Sequence, residues 1–375
     1  NKLFIWKMVD QLSIHAREIV MMYADIHCWM LRIFSWETQK SFGFLRGRQA
    51  DLLEERKFFM AEPLFLKAQM HDKIWGGTKL RDEFGYDIPT ETTGEYWAIS
   101  AHPNGVSIVD NGTYKGEGLD KLYREHKELF GSPKSEVFPL LTKILDANDW
   151  LSVQVHPDDA YALEHEGELG KTECWYVIAA DEDSEIIYGH NAKSKEELAE
   201  MIEAGKWDDL LTKVPVKAGD FFYVPSGTMH AIGKGILILE TQQSSDTTYR
   251  VYDFDRRDAA GNLRDLHIKQ SIDVLTIGEP ANSTPVTVDV DNLSSSLLVS
   301  NEFFAVYKWV VSGAVNFTQT APYLLVSVLS GQGSLTVDNR VYNLKKGDHF
   351  ILPNDVKSWQ LNGDLEIIAS HPNEK

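Results

Sequence analysis

Cysteine is nearly absent from this chain of 375 residues. Cys28 and Cys174 are the only two, which rules out a disulfide framework and fits a reducing, cytoplasmic setting. Long apolar runs are missing as well. A membrane span needs about 18–20 uninterrupted apolar residues, and Asp25, His27 and Arg32 break the nearest approach, IVMMYADIHCWMLRIF. The pattern of a secretory signal, a cationic start and then an apolar run with a small-residue cleavage site, is not met either. Positive charge is in deficit, with 37 Lys+Arg against 56 Asp+Glu and a formal net charge of −19. Such a field repels phosphate backbones and argues against nucleic acid as a partner. A phosphorylated small substrate remains compatible if a few cations are gathered locally. With 43% hydrophobic and 25% charged residues, the composition is that of a globular protein and not of a disordered one.

What is present divides the chain in three. Residues 1–59 are dense in Trp and Met and differ from the rest; they read as an appended or upstream-translated leader, because MAEPLFLKAQMHDKIWGG from Met60 resembles an ordinary start. Beyond it, β-branched and aromatic runs dominate: ECWYVIAA, EIIYGH, DFFYVP, GILILET, FFAVYKWVV, YLLVSVLSG and GSLTV. Residues 64–112 alternate short apolar runs with Gly and Asn turns and are expected to be strands. Helical spacing appears in LDKLYREHKELFG (119–131), which stops at Gly131, and in SKEELAEMIEAGKW (194–207), which opens with a Ser cap and a Glu three residues on. Short strands punctuated by turns predict an all-β sandwich or jelly roll with short helical insertions. An internal repeat extends this. GDFFYVPSGTMHAI (219–232) and GDHFILPNDVKSWQL (347–361) share Gly-Asp, four residues, then Pro and a second strand, so two related β-barrels are expected, over 60–290 and 291–375. Only the first keeps a histidine, His230, where the return strand begins; the second is expected to be metal-free.

The strand LSVQVHPDD aims Gln154 and His156 at one face, since side chains alternate along a strand. Glu173 lies in GKTECWYVI on the next predicted strand, and His230 follows PSGT. In a small barrel the inward faces converge on one cavity. Two imidazoles, a carboxylate and an amide oxygen make a nitrogen/oxygen donor set suited to Zn²⁺ and similar divalent ions. Alternation turns Cys174 to the opposite face from Glu173.

These residues carry a family resemblance. KIWGG, GEYWAIS, LTKILDANDWLSVQVHPDD, GKTECWY, GDFFYVPSGTMHAI and SSDTTYRVYDFDR resemble type I mannose-6-phosphate isomerases, in their short bacterial form within the cupin superfamily. The likeness runs from about residue 63 to the end. It implies one Zn²⁺ per chain on Gln154, His156, Glu173 and His230, Arg250 as the catalytic arginine, and proton transfer through an enediol between mannose 6-phosphate and fructose 6-phosphate. For the proton carrier the candidates are Glu240 and Asp246, with His102 a third. Lys171 and Lys143 are expected to join Arg250 in holding a sugar phosphate. Trp75 and Trp97 are either sugar-facing walls or core. The long helical insertion of the larger fungal and animal enzymes is absent. Two other functions fit a cupin: a metal dioxygenase, for which Gln154-x-His156 in place of His-x-His is a poor match, and a non-enzymatic sugar-binding module, which would not need both the ligand set and the Arg250 segment. The oligomeric state is left open.

Overall fold

The computed structural model describes residues 61–258 and 260–373; the expected leader lies outside them. The all-β expectation holds. Strands β1 (Leu64–Lys67), β2 (Gln69–Gly77), β3 (Thr93–Ile99), β4 (Ile108–Val109), β5 (Leu140–Ala147), β6 (Val153–Val155), β7 (Glu173–Ala180), β8 (Glu185–His190), β9 (Leu211–Pro215), β10 (Phe221–Val224), β11 (His230–Ile232), β12 (Ile236–Gln243) and β13 (Tyr249–Tyr252) precede a C-terminal group. That group is β14 (Val286–Val290), β15 (Leu293–Ser300), β16 (Phe304–Thr318), β17 (Leu324–Val337), β18 (Arg340–Lys345), β19 (His349–Leu352) and β20 (Ser358–Pro372). Among the described residues no helix is long and apolar enough to cross a membrane.

Two antiparallel sheets frame the site. One is six-stranded in the order β10-β7-β12-β5-β3-β2, the other five-stranded in the order β13-β6-β11-β8-β9. Alternation along each strand decides what lies between them. Trp175 and Val177 of β7, Ile236 and Ile238 of β12 and Leu145 of β5 meet Ile186 and Ile232 from the opposite sheet in one buried cluster. The intervening residues, Cys174, Tyr176, Leu237, Leu239 and Ile144, point the other way and pack with Tyr323 and, from the C-terminal strands, Leu325 and Ile368. The outer face of the five-stranded sheet is covered by apolar residues of α4 (Lys195–Glu203) and its neighbours, Leu198, Ile202 and Leu210; α1 (Lys79–Phe84), α2 (Leu119–Glu125) and α3 (Asp159–His165) come earlier in the chain.

The helical expectations are met with interruptions. The run 119–131 is α2 followed by a 3-10 turn, Lys127–Phe130, because His126 leaves helical geometry at φ −125° and ψ 56°. Gly131 ends it at φ 77°, the left-handed stop that glycine takes without a Cβ penalty. Ser194 caps α4 by accepting from Glu197 N at 3.2 Å, but α4 stops at Glu203, and Trp207–Leu210 forms a separate short helix. Within 64–112, α1 interrupts the strands.

The repeat has a matching geometry. At its first copy Asp220 Oδ2 accepts from Lys217 N at 2.9 Å and Gly219 N donates to Val177 O at 2.8 Å. At the second, Asp348 Oδ2 accepts from Lys345 N at 2.8 Å and Gly347 N donates to Val328 O at 2.9 Å. The C-terminal sheet, ordered β14-β15-β16-β20-β17-β19-β1-β4 with β18 beside β17, departs from the expected boundary at 290/291. β14 pairs with β15, and β1 adds to β19 through Leu64↔Ile351. The chain therefore crosses that boundary at both ends, because a sheet edge accepts whichever strand supplies backbone partners.

Candidate active site

His156 follows β6, His230 opens β11 and Glu173 opens β7, and the three meet at 1% exposure each. His156 Nε2 lies 3.4 Å from Glu173 Oε2, and His230 Nε2 lies 3.4 Å from Glu173 Oε1. Two ligand atoms of one tetrahedral ion at 2.0–2.1 Å stand about 3.4 Å apart. Three further observations fit an ion. The ligand atoms all lie within 4.8 Å of one another. His156 Nε2, Glu173 Oε2 and His230 Nε2 are buried without hydrogen-bond partners. The opposite ring nitrogens are engaged, His156 Nδ1 with Thr247 O and His230 Nδ1 with Thr228 O, each at 2.9 Å, which leaves the Nε2 lone pairs for a metal. Burial pushes both imidazoles below their usual range, His156 to about 3, so they stay neutral, the state that binds metal. Burial works against the Glu173 carboxylate, yet its surroundings, the Lys171 ammonium foremost, hold the group ionised.

Local sequence explains this convergence. Gly227 sits at φ +84°, and a Cβ there would fall 2.4 Å from Thr276 Oγ1. Glycine thus lets the PSGT turn approach, and Gly227 N donates to His156 O at 2.9 Å. The two aspartates after His156 are structural: Asp158 caps α3 through Tyr161 N at 2.9 Å, while Asp159 accepts from Gly170 N at 3.0 Å and Gln243 Nε2 at 2.8 Å. They bring Lys171 back to the strand end, where its backbone N donates to Pro157 O.

A cavity of about 310 Å³ is walled by Lys73, Trp75, Glu95, Lys143, Leu145, Leu151, Ser152, Gln154, Lys171, Glu240, Asp246, Thr248, Arg250 and Arg264. Gln154 faces it from β6, ladder partner of His230 on one side and of Arg250 on the other. Across the six-stranded sheet, Trp175, Glu240, Lys143 and Trp97 stand in one row of strand partners. Trp175 Nε1 donates to Glu173 Oε1 at 3.0 Å and to Glu240 Oε2 at 3.2 Å. Lys143 Nζ is 3.7 Å from Glu240 and 3.9 Å from Glu95, and 4.7 Å above the Trp97 ring. Burial, then repulsion from Glu173, raise the Glu240 carboxyl to about 7 against the pull of Lys171 and Lys143. Burial opposes the Lys171 ammonium, but Glu173 and Glu240 more than restore it.

Arg250 and Asp246 reach the cavity wall as well. The alternative partner for Arg250, Asp253, is taken by other arginines; Arg250 instead donates from NH1 to Asp265 O at 2.8 Å. Asp246 accepts from Asn104 at 2.9 Å. His102 is not in the cavity wall: its Nδ1 accepts from Asn104 N and its Nε2 faces Glu168 at 3.5 Å, which makes it a loop support. Trp75 is both core and wall, whereas Trp97 is core, its indole donating to Glu95 at 2.6 Å. Lys73, Glu95 and Arg264 escaped the sequence reading. For Glu95 a signal existed, a lone acid within the apolar strand TGEYWAI; Arg264 sits in a loop with no pattern to mark it.

Comparison with known proteins agrees with this geometry. Residues 64–178 match the phosphomannose isomerase type I catalytic domain and residues 295–372 match the mannose-6-phosphate isomerase cupin domain. The chain is 76% identical to mannose-6-phosphate isomerase of Streptococcus mutans over 84% of its length and 100% of the relative's. It is 55% identical to mannose-6-phosphate isomerase ManA of Bacillus subtilis over 83% of its length and 99% of that protein's. The crystal structure of a B. subtilis mannose 6-phosphate isomerase superposes with a TM-score of 0.81 at 50% identity, covering 82% of this chain and 99% of that one. With these domain matches and identities, the chain belongs to the type I mannose-6-phosphate isomerases, and it is an enzyme.

Proposed function

We propose that this enzyme binds one Zn²⁺ per chain through Gln154, His156, Glu173 and His230 and interconverts mannose 6-phosphate and fructose 6-phosphate through an enediol in the cytoplasm. The observation that carries the reading is the convergence of three partnerless ligand atoms against Lys171, which walls a cavity shared with the buried carboxyl of Glu240. A bound divalent ion supplies Lewis-acid polarisation of the sugar's carbonyl and hydroxyl oxygens. The chain's own residues handle the proton. Glu240, with its carboxyl raised to about 7, is matched to take a proton from carbon and return it. From aldose to ketose the C2–H bond breaks and a C1–H bond forms, while the hydroxyl proton passes from O2 to O1. Lys143 and the Trp175 indole fix the Glu240 carboxyl in place. Lys171 keeps Glu173 ionised, and Arg250, which offers only donors, stabilises negative charge on the sugar oxygens. Asp246 orders the wall beside them.

A coupled assay of mannose 6-phosphate conversion, with and without a chelator, tests this. Activity that chelator removes and Zn²⁺ restores is expected; isomerisation indifferent to complete metal removal would overturn the metal reading, and no isomerisation at all would overturn the substrate.

A further inference from the structure

β13 runs into a hairpin, described over residues 253–258 and 260–267, that folds back along the strand it left. His267 N donates to Arg250 O at 2.8 Å, and Arg250 N donates to His267 Nδ1 at 3.1 Å. The entry turn is strained: Phe254 and Asp255 lie at φ 58° and 53°, a region that costs non-glycine residues free energy and persists only where surroundings enforce it. What enforces it is Asp253, 4% exposed. Its carboxylate receives a fork from Arg264, Nε to Oδ2 at 2.7 Å and NH2 to Oδ1 at 2.5 Å, and a third bond from Arg256 NH2 at 2.6 Å. Bidentate pairing fixes a guanidinium's plane as well as its position.

The partners of these arginines differ. Arg256 is turned away to Trp150 O and Asp149, but Arg264 and Arg250 both wall the cavity. Arg250 Nε is buried without a partner, and the guanidinium of Arg264 adds to burial in disfavouring the Arg250 charge. An anion between the two would relieve both. The position suits the far end of a sugar phosphate. Ser152 and Gln154 line the cavity and His156 follows, spaced about 7 Å per two residues along an extended strand. Arg256 ties the hairpin to Trp150, beyond Ser152 and away from the histidines.

We infer that Arg264 grips the phosphate end of the substrate and that Asp253 is its positioning residue, holding the guanidinium toward the cavity. This rests on the substrate reading above and assigns its phosphate end to a residue outside the shared motifs. The test uses the full-length zinc-loaded enzyme with mannose 6-phosphate as substrate and inorganic phosphate as competitor. Arg264→Ala should raise KM by about 10- to 100-fold, the scale of one charged hydrogen bond lost, with kcat within a few-fold, phosphate inhibition weakened in parallel and zinc content unchanged. Arg264→Lys should recover part of the loss. Asp253→Asn should shift KM in the same direction, and the double variant should be no worse than Arg264→Ala alone, as expected when one residue acts through the other. Parental KM and phosphate inhibition in Arg264→Ala would overturn the assignment, whether or not Asp253→Asn folds; fully additive effects would overturn the positioning role. If the parent does not isomerise mannose 6-phosphate, calorimetry of inorganic phosphate with parent and Arg264→Ala still decides whether Arg264 binds phosphate.

Discussion

Glu173 and Glu240 are buried carboxylates on neighbouring strands, bridged by one indole N–H, yet their surroundings drive them in opposite directions. Glu173 has Lys171 at 3.4 Å and two imidazoles, and it stays charged. Glu240 is buried, feels Glu173, and rises to about 7. Such divergence fits the proposed division between a metal ligand and an acid–base group. Glu240→Gln should therefore lower turnover by about two to four orders of magnitude while zinc content stays parental. In the proposed mechanism the deprotonated form takes the proton from carbon, so activity should fall as pH drops through this group's raised pKa. Parental turnover in the glutamine variant would exclude Glu240 as the base. His156→Ala and His230→Ala should each lose nearly all bound zinc by elemental analysis, and Gln154→Ala should weaken binding without abolishing it, because a neutral amide is the poorest donor of the set.

At the scale of elements, the site depends on turns that bring strand ends together. The Pro225–Thr228 turn reaches His156 O through the N–H of a glycine in the left-handed region. Gly227→Ala adds both backbone strain of about 1–3 kcal/mol and a clash with Thr276. It should lower the denaturation midpoint and reduce zinc affinity together; an unchanged midpoint would mean that the turn relaxes freely. The same Gly-Asp turn geometry recurs at Gly347, but there Ser358 opens the return strand. The repeat preserves backbone hydrogen bonding and not the histidine.

Over the described molecule, a buried contact joins the loop after α1 to the C-terminal sheet. His349 Nδ1 meets Ser327 Oγ at 2.9 Å and its Nε2 meets Tyr86 OH at 3.0 Å, while Tyr86 stacks on Tyr96 at 4.0 Å. Burial lowers His349 from 6.5 to about 3. Its folded pKa is depressed, so the unfolded chain takes up the proton first. The stability it contributes is complete above about pH 6.5 and is lost as pH falls from there toward 3. His349→Gln should flatten the acid side of the stability profile by up to about 1.4 kcal/mol per pH unit, one proton's worth. An unchanged slope in urea titrations across that range would show that His349 is not the titrating group.

Alternating patterns in ECWYVIAA and GILILET were enough to read strands and to send Cys174 and Glu173 to opposite faces, because side-chain direction along a strand is local. The nitrogen and oxygen atoms that His156, Glu173 and His230 bring together were legible for the same reason, each standing at or just beyond a strand end. Which strands become neighbours was not legible, since the sheet order β10-β7-β12-β5-β3-β2 is not chain order. Only that order sets Lys143 between Glu240 and Glu95, so that a cation expected to hold phosphate is already matched by carboxylates. Arg264 shows the same limit more sharply: it enters the cavity through a hairpin held by Asp253, a contact across 11 positions that no local periodicity encodes. Local sequence fixed direction and chemistry, and tertiary packing decided adjacency, because the charge a buried group carries depends on what folding places beside it.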